Sequence, residues 1–382
     1  MKLRYFDHNA TTPLAEVAKT AWLQAVDTQW LNPSSPYRQA AAVRVRYEAA
    51  RASLAELLGV GVSRVVFTAG ATEANNAVFR HWGDRLSADA RVGVNPTEHP
   101  SVLEAAKAFL GERVLWLPLL EDGRVDLNVL EQQIQSGALT AVSVMAANNE
   151  TGVIQAWPEI ARLCQQAQIP YHCDASQWVG KMPLGGLSDC GYVSACAHKF
   201  GGPKGQGFLL LPEGEEGCHI LYGGAQEALH RAGTEDVAGV MAMLAALESA
   251  AVGEAELRDA FIGWICHELP GARVVGIEAD RLWNTVSLVM PQFQSVRWIR
   301  RMERAGFLLS AGSACATGKS TVSHVLSAMG LETAEAGRVL RISSGVETTA
   351  EDWQALADAL LSAWGDLQRE AQASNSQVIS ID

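Results

Sequence analysis

The run Ser194-Ala-Cys-Ala-His-Lys-Phe-Gly-Gly-Pro-Lys-Gly-Gln-Gly207 sets two lysines in a glycine-rich turn. Before Lys199 stands an apolar run (Tyr192, Val193, Ala195, Ala197). After the turn comes Gly207-Phe-Leu-Leu-Leu-Pro212. Both runs read as buried strands. A charged ammonium at the end of a buried strand is costly unless it is paired or neutralised. One reading is a lysine whose head snorkels into the solvated turn. The other is an amine held as an imine with an aldehyde cofactor.

Upstream lies Tyr171-His-Cys-Asp-Ala-Ser-Gln-Trp-Val-Gly-Lys181. Ile169 to Cys173 reads as a further strand, with Asp174 at its C-terminal end. A carboxylate there can cap the next helix. It can also face the ring nitrogen of a pyridine cofactor and keep it protonated, so that the ring accepts electrons. Aspartate and lysine at two strand ends favour the second reading.

Working outward, strands and helices alternate. Strands are expected at 64–68, 91–94, 114–117 and 141–145. Helices are expected over 72–82 and from Ser101, Leu127 and Pro158. Residues 13–60 read as helical, broken at Asn32-Pro-Ser-Ser-Pro36. This is an α/β pattern: a mostly parallel sheet with helices on both faces, whose ligands gather at strand C-termini. After about residue 245 the pattern changes. Helices near 254–268, 295–305 and 350–370 flank the apolar runs Thr285–Met290 and Val339–Ile342. The expected organisation is a large domain over 13–245 and a smaller α+β domain from 1–12 and 246–382.

Composition narrows the function. The 382 residues are 48% hydrophobic with a net charge of −12, which argues for a globular fold and against nucleic acid as the main partner. Arg297, Arg300, Arg301 and Arg304 recur at helical spacing and read as a solvated helix face. Seven cysteines with no C-x-x-C indicate neither a zinc site nor a disulfide framework, so no metal is expected. No apolar run is long enough to span a bilayer. The N-terminus enters the motif Asp7–Pro13 at once, so a cytoplasmic protein is expected.

Two loops carry further chemistry. Gly70-Ala71-Thr72 lies between a strand and a helix, where free N–H groups suit a phosphate. Ser310-Ala-Gly-Ser-Ala-Cys-Ala-Thr-Gly-Lys-Ser320 nearly spells a nucleotide-binding P-loop, but Ser313 stands where the first glycine belongs. The other reading of this loop makes Cys315 a nucleophile, since a thiolate attacks sulfur well and its small neighbours leave it uncrowded.

Asp174-Ala-Ser-Gln177, His198-Lys199 and Arg231-Ala-Gly-Thr-Glu-Asp-Val237 together resemble the class V, fold-type I pyridoxal-phosphate enzymes, and among them the cysteine desulfurases of group I. The resemblance runs from Tyr5-Phe-Asp-His-Asn-Ala-Thr-Thr-Pro13 to Leu340-Arg-Ile-Ser-Ser-Gly345. It implies a homodimer that converts L-cysteine to L-alanine, with a persulfide on Cys315 passed to a sulfur-acceptor protein, as in iron–sulfur cluster assembly. It implies that Lys199 bonds pyridoxal 5'-phosphate and then acts as base, and that His99 stacks on the ring and moves protons. Asp174 would meet the ring nitrogen. Asn149 and Gln177 would reach the phenolic oxygen, Asn149 also the substrate. Ala71, Thr72, His198 and Thr234 would hold the phosphate, Thr234 from the other subunit. Arg341 would bind the substrate carboxylate. Cys196 stands where the family commonly places a phosphate-binding serine. Tyr37-Arg-Gln-Ala40 and the polar tail 372–382 also depart from the pattern. Rival readings are a selenocysteine or cysteine-sulfinate lyase, another class V enzyme, a nucleotide binder through 312–320, and a non-catalytic sulfur carrier.

Overall fold

Short apolar runs of three to five residues become the strands of a seven-stranded sheet. The computed structural model describes residues 3–311 and 323–378. The chain forms two compact units: one of residues 10–149 and 154–252, the other of residues 1–9, 150–153 and 253–382.

In the first unit the strand order across the sheet is Val65–Thr68, Gly207–Leu210, Tyr192–Cys196, Tyr171–Asp174, Ala141–Ser143, Val92–Val94, Val114–Trp116. Gly207–Leu210 is antiparallel to both neighbours, and every other pairing is parallel. The reason is the length of the turn. Cys196 and Gly207 are register partners joined by a hairpin connection, too short for the crossover a parallel pair needs. That hairpin is the lysine turn.

Alternation along each strand splits the core over two faces. Val65, Phe67, Phe208 and Leu210 join one cluster with Leu54, Leu130, Ile160 and Val240. Val66 and Leu209 join the other with Val78, Trp82, Val102 and Leu110. The helices Arg38–Leu58, Leu127–Gln135, Trp157–Ala167 and Val237–Glu248 cover the first face. Ala71–Arg85 and Pro100–Leu110 cover the second. All parallel strands therefore point their carboxyl ends the same way.

The second unit is an antiparallel sheet in the order Ser310–Ala311, Val339–Ser343, Thr285–Val289, Arg273–Val274. Arg4–Tyr5 pairs in parallel with Phe307–Leu308. Phe6, Leu288, Trp298, Leu340, Ile342, Trp353 and Leu360 form its core. On the helix Ser295–Arg304, Arg297 and Arg301 pair with Glu370, while Trp298 and Met302 are buried. No helix among the described residues is long and apolar enough to cross a membrane.

Candidate active site

The carboxyl ends of the parallel strands open into a cavity of about 540 Å³. Ala71, Thr72, His99, Asn149, Asp174, Gln177, Cys196, His198 and Lys199 all line it. Nine of the residues singled out in the sequence, drawn from five separate stretches of chain, thus meet in one place.

Each loop has a local reason for its shape. Gly70 takes φ 140° and ψ 176° and opens the helix Ala71–Arg85 without a side-chain cap. Its neighbour across the sheet, Gly207, leaves no room for a side chain: a Cβ there would lie 2.7 Å from Gly70 Cα. These two glycines let the helix start sit directly over the lysine hairpin. The amides of a helix's first turn have no partner within the helix and suit an anion. His99 caps the helix Pro100–Leu110, its Nδ1 accepting from Ser101 N at 3.1 Å.

The lysine turn is tied to the segment at 10–15. Lys199 Nζ donates to Ala10 O at 3.0 Å. Thr12 N donates to His198 O at 2.9 Å, and Gly201 N to Thr12 Oγ1 at 2.7 Å. His198 Nδ1 lies 3.2 Å from Thr11 Oγ1. Burial, then the cations Lys199 and Lys204, bring His198 down to about 4, so its ring is neutral at ordinary pH. A neutral imidazole here can donate to an anion without adding a further charge. Burial pushes the Cys196 thiol up, with Lys199 pulling the other way.

Asp174 is buried and doubly held. Its Oδ2 accepts from Asn75 Nδ2 at 2.8 Å and its Oδ1 from Ser176 N at 2.9 Å. Behind it runs a polar chain. Ser194 Oγ donates to Asn75 Oδ1, His172 Nε2 lies 3.2 Å from Ser194 Oγ, and His172 Nδ1 lies 2.9 Å from Ser143 Oγ. Burial brings His172 down to about 4. Glu98 is also fully buried, and its Oε1 accepts from Met145 N at 2.6 Å. Burial, then the charge on Asp174, push the Glu98 carboxyl well above its usual range. The surroundings therefore favour the protonated form of Glu98 beside Asp174.

Asn75, Glu98, His172 and Ser194 carried no motif signal in the sequence. His172 and Ser194 left one trace, a polar residue inside an apolar strand, whereas Asn75 lies in a helix and Glu98 in the turn after Val92–Val94. Ser143 pairs in register with His172, and Asp174 with Ser194. Buried polar groups need partners, and adjacent strands supply them here.

Thr234 is exposed and lines a second concavity with Glu227, Arg231 and Asp236. Ala69 and Gly205 border both hollows. Arg231 Nε is held by Glu73 Oε1 at 2.9 Å. Arg341 belongs to the second unit. It is buried in the strand Val339–Ser343, and its Nη2 donates to Asp7 Oδ1 at 2.8 Å. Cys315, and with it the P-loop reading of 312–320, lies outside the described residues. Beside that stretch, Ser323 caps the helix His324–Ala328 and donates to Glu150 Oε2 at 2.5 Å. Among the described residues, no group of three or more His, Cys, Asp or Glu could hold a metal ion.

The chemistry of this donor set fits a cofactor with an aldehyde, a ring nitrogen and a phosphate. Lys199 offers an amine, Asp174 a held carboxylate, and Ala71 and Thr72 an uncapped helix start, all on one cavity. The fold is that of the fold-type I transferases, a mostly parallel sheet with helices on both faces. The sequence profile of the family described as aminotransferase class-V matches residues 4–356, and the chain belongs to that family, in its cysteine desulfurase group. The chain is 34% identical to the "IscS-like cysteine desulfurase" of Mycobacterium tuberculosis, covering 97% of this chain and 99% of that one. It superimposes on a solved "NIFS-like protein" with a TM-score of 0.86 at 28% identity, over 96% of this chain and 100% of that one. A structure described as "SspA in complex with cysteine" matches with a TM-score of 0.78 at 28% identity, over 89% and 98% of the two chains.

Proposed function

We propose that this enzyme is a pyridoxal 5'-phosphate-dependent cysteine desulfurase that converts L-cysteine to L-alanine and takes the sulfur on Cys315. The observation that carries the reading is the convergence of Lys199, Asp174 and the uncapped start of Ala71–Arg85 on one cavity. The relatives' names support the substrate.

Pyridoxal phosphate supplies an aldehyde that bonds an amine and a ring that accepts the electron pair of a Cα–H bond. The chain's residues do the rest. Asp174, anchored by Asn75 and Ser176, keeps its carboxylate at the ring nitrogen. Ala71 and Thr72 amides, neutral His198, Cys196 and a second subunit's Thr234 would hold the phosphate. His99 would lie against the ring, and Asn149 and Gln177 would serve its phenolic oxygen. Arg341 forks onto the substrate carboxylate. Lys199 Nζ would be the amine that bonds the aldehyde, and would serve as the base for the Cα proton of the substrate. The Cys315 thiolate would attack the substrate sulfur: the Cβ–S bond breaks, an S–S bond forms, and protons returned to Cβ and to Cα give alanine. Cys315 then holds a persulfide for an acceptor protein. The working unit is a homodimer.

Borohydride reduction of the coloured protein, followed by peptide mapping, tests the reading. A pyridoxyl group on Lys199 and alanine formed from cysteine are the expected results. Modification of Lys204 instead, or a colourless protein that makes no alanine, overturns it.

A further inference from the structure

Lys181 is 4% exposed, in the turn that follows the strand Tyr171–Asp174. A lysine so buried needs a partner for its charge. Its Nζ donates to Oε1 of Gln177, four residues back. The turn between them closes in helical fashion, with Val179 N to Ala175 O and Met182 N to Trp178 O both at 2.9 Å. Residues 177 and 181 therefore share one face.

Two further contacts fix this turn. Trp178 Nε1 donates to Pro183 O at 2.7 Å. Gly180, at φ 74°, lies so close to the lysine hairpin that a Cβ there would stand 2.2 Å from Phe200 Cβ. Phe200 follows Lys199 directly. The turn carrying Gln177 and Lys181 is thus packed against the residue next to the reactive amine.

Gln177 lines the cavity, and Lys181 stands behind it. An ammonium only donates, so it fixes the amide with Oε1 turned toward Lys181. Nε2, a donor, is then the polar atom that Gln177 offers the cavity. The two orientations of a glutamine amide have nearly the same shape, so packing alone does not choose between them.

We propose that Lys181 is a positioning residue that sets Gln177 as a hydrogen-bond donor toward the phenolic oxygen of the cofactor. The inference rests on the pyridoxal-phosphate reading above. A donor at that oxygen favours its deprotonated form and so lowers the acid–base midpoint of the bound cofactor. Lys199 and Lys204 line the same cavity beside His99 and neutral His198, so positive charge alone does not distinguish Lys181. Its bond to Gln177 does.

The test is a double-mutant cycle read by pH titration of the visible absorption of the bound cofactor, without turnover. Lys181→Met is expected to raise the midpoint by about one unit. In a Gln177→Ala background the same change is expected to move it no further. Gln177→Glu keeps the buried ammonium paired while offering the cavity an oxygen instead of a donor. It is expected to raise the midpoint with Lys181 intact, and it decides the matter if Lys181→Met fails to fold. A Lys181→Met shift that persists undiminished without Gln177 is a direct charge effect and overturns the proposal. So does a Gln177→Glu protein that titrates like wild type. A wild-type protein that binds no pyridoxal phosphate overturns the underlying reading and the proposal with it, whereas a coloured protein indifferent to residue 177 overturns the proposal alone.

Discussion

Asn75 Nδ2 donates to Asp174 Oδ2 at 2.8 Å, and both side chains are buried. Asn75 lies on the helix whose start faces the cavity, and Asp174 ends a central strand. One amide thus ties the element assigned to the phosphate to the carboxylate assigned to the ring nitrogen. The same amide accepts from Ser194 Oγ and donates to Ser101 Oγ. Three elements converge on one side chain.

Asn75→Leu keeps the volume and removes those bonds. A buried carboxylate and hydroxyl each lose a partner, at a cost of about 1–3 kcal/mol. The expected result is a lower denaturant midpoint in the cofactor-free protein, together with faster cofactor loss from the loaded protein. Unchanged stability and retention would mean that Asp174 is held by Ser176 N alone.

Glu150 gives a pH prediction. Burial raises its carboxyl to about 7, against the lowering effects of the Ser323 bond and the charge of Arg341. In the unfolded chain it ionises near 4.5, the ordinary value. The folded state therefore binds more protons between these two values. This contribution to stability is full below about 4.5 and is lost as pH rises through about 7. Glu150→Gln keeps an acceptor for Ser323 and cannot ionise. It is expected to remove up to about 3 kcal/mol of this decline. Thermal melts of both proteins at acidic and mildly alkaline pH measure it: the variant's advantage should appear on the alkaline side. Parallel melting curves at all pH values would contradict the burial argument.

The sheet was legible because its strands are short apolar runs bounded by glycine and polar turns, and because Lys199 and Asp174 mark two strand ends. The antiparallel placement of Gly207–Leu210 was legible in principle from the short connection to Cys196. The helix Val237–Glu248 was not singled out. Its sequence is apolar nearly all round, with Val237, Val240, Ala242, Met243, Ala246 and Leu247 buried, so it shows no amphipathic stripe. The segment Glu150–Val153 joins the second unit through Val153, which bridges Arg281, and Gly152, whose carbonyl accepts from Leu282 N at 2.8 Å. Pairing across so long a stretch of chain leaves no local pattern. The chain from Asp174 through Asn75 and Ser194 to His172 depends on strand register, which one sequence does not reveal. Lys181 was quoted as part of a motif and given no role, because its burial depends on the close approach of Gly180 to Phe200.

Cys196 is buried beside the helix start, a position where a hydroxyl would be the better donor. Cys196→Ser is expected to slow cofactor loss about tenfold or more, since a hydrogen bond to a charged group contributes roughly 1.5–3 kcal/mol. Following the decay of visible absorption during dialysis against a competing amine measures this. Faster loss in the serine variant would mean that the thiol is kept for its packing.

Reach and acidity decide which cysteine takes the sulfur. The acceptor must be a thiolate that reaches the substrate sulfur and then leaves with it. Cys164, Cys173, Cys190, Cys196 and Cys218 are buried, and burial pushes the thiols of Cys164, Cys173, Cys196 and Cys218 up, away from the reactive form. Cys266 is half-buried on the helix Glu256–Glu268, and burial raises it too. Cys196 lines the cavity, but a raised pKa makes it a poor thiolate. That leaves Cys315, flanked by small residues and glycines. Cys315→Ser is expected to keep the cofactor colour and the spectral change on adding cysteine, yet to release alanine at under about one hundredth of the normal rate, as expected when an essential nucleophile is lost. Near-normal alanine would place the nucleophile elsewhere. Pyruvate with free sulfide would mean that sulfur leaves by β-elimination, and the enzyme would then be a carbon–sulfur lyase.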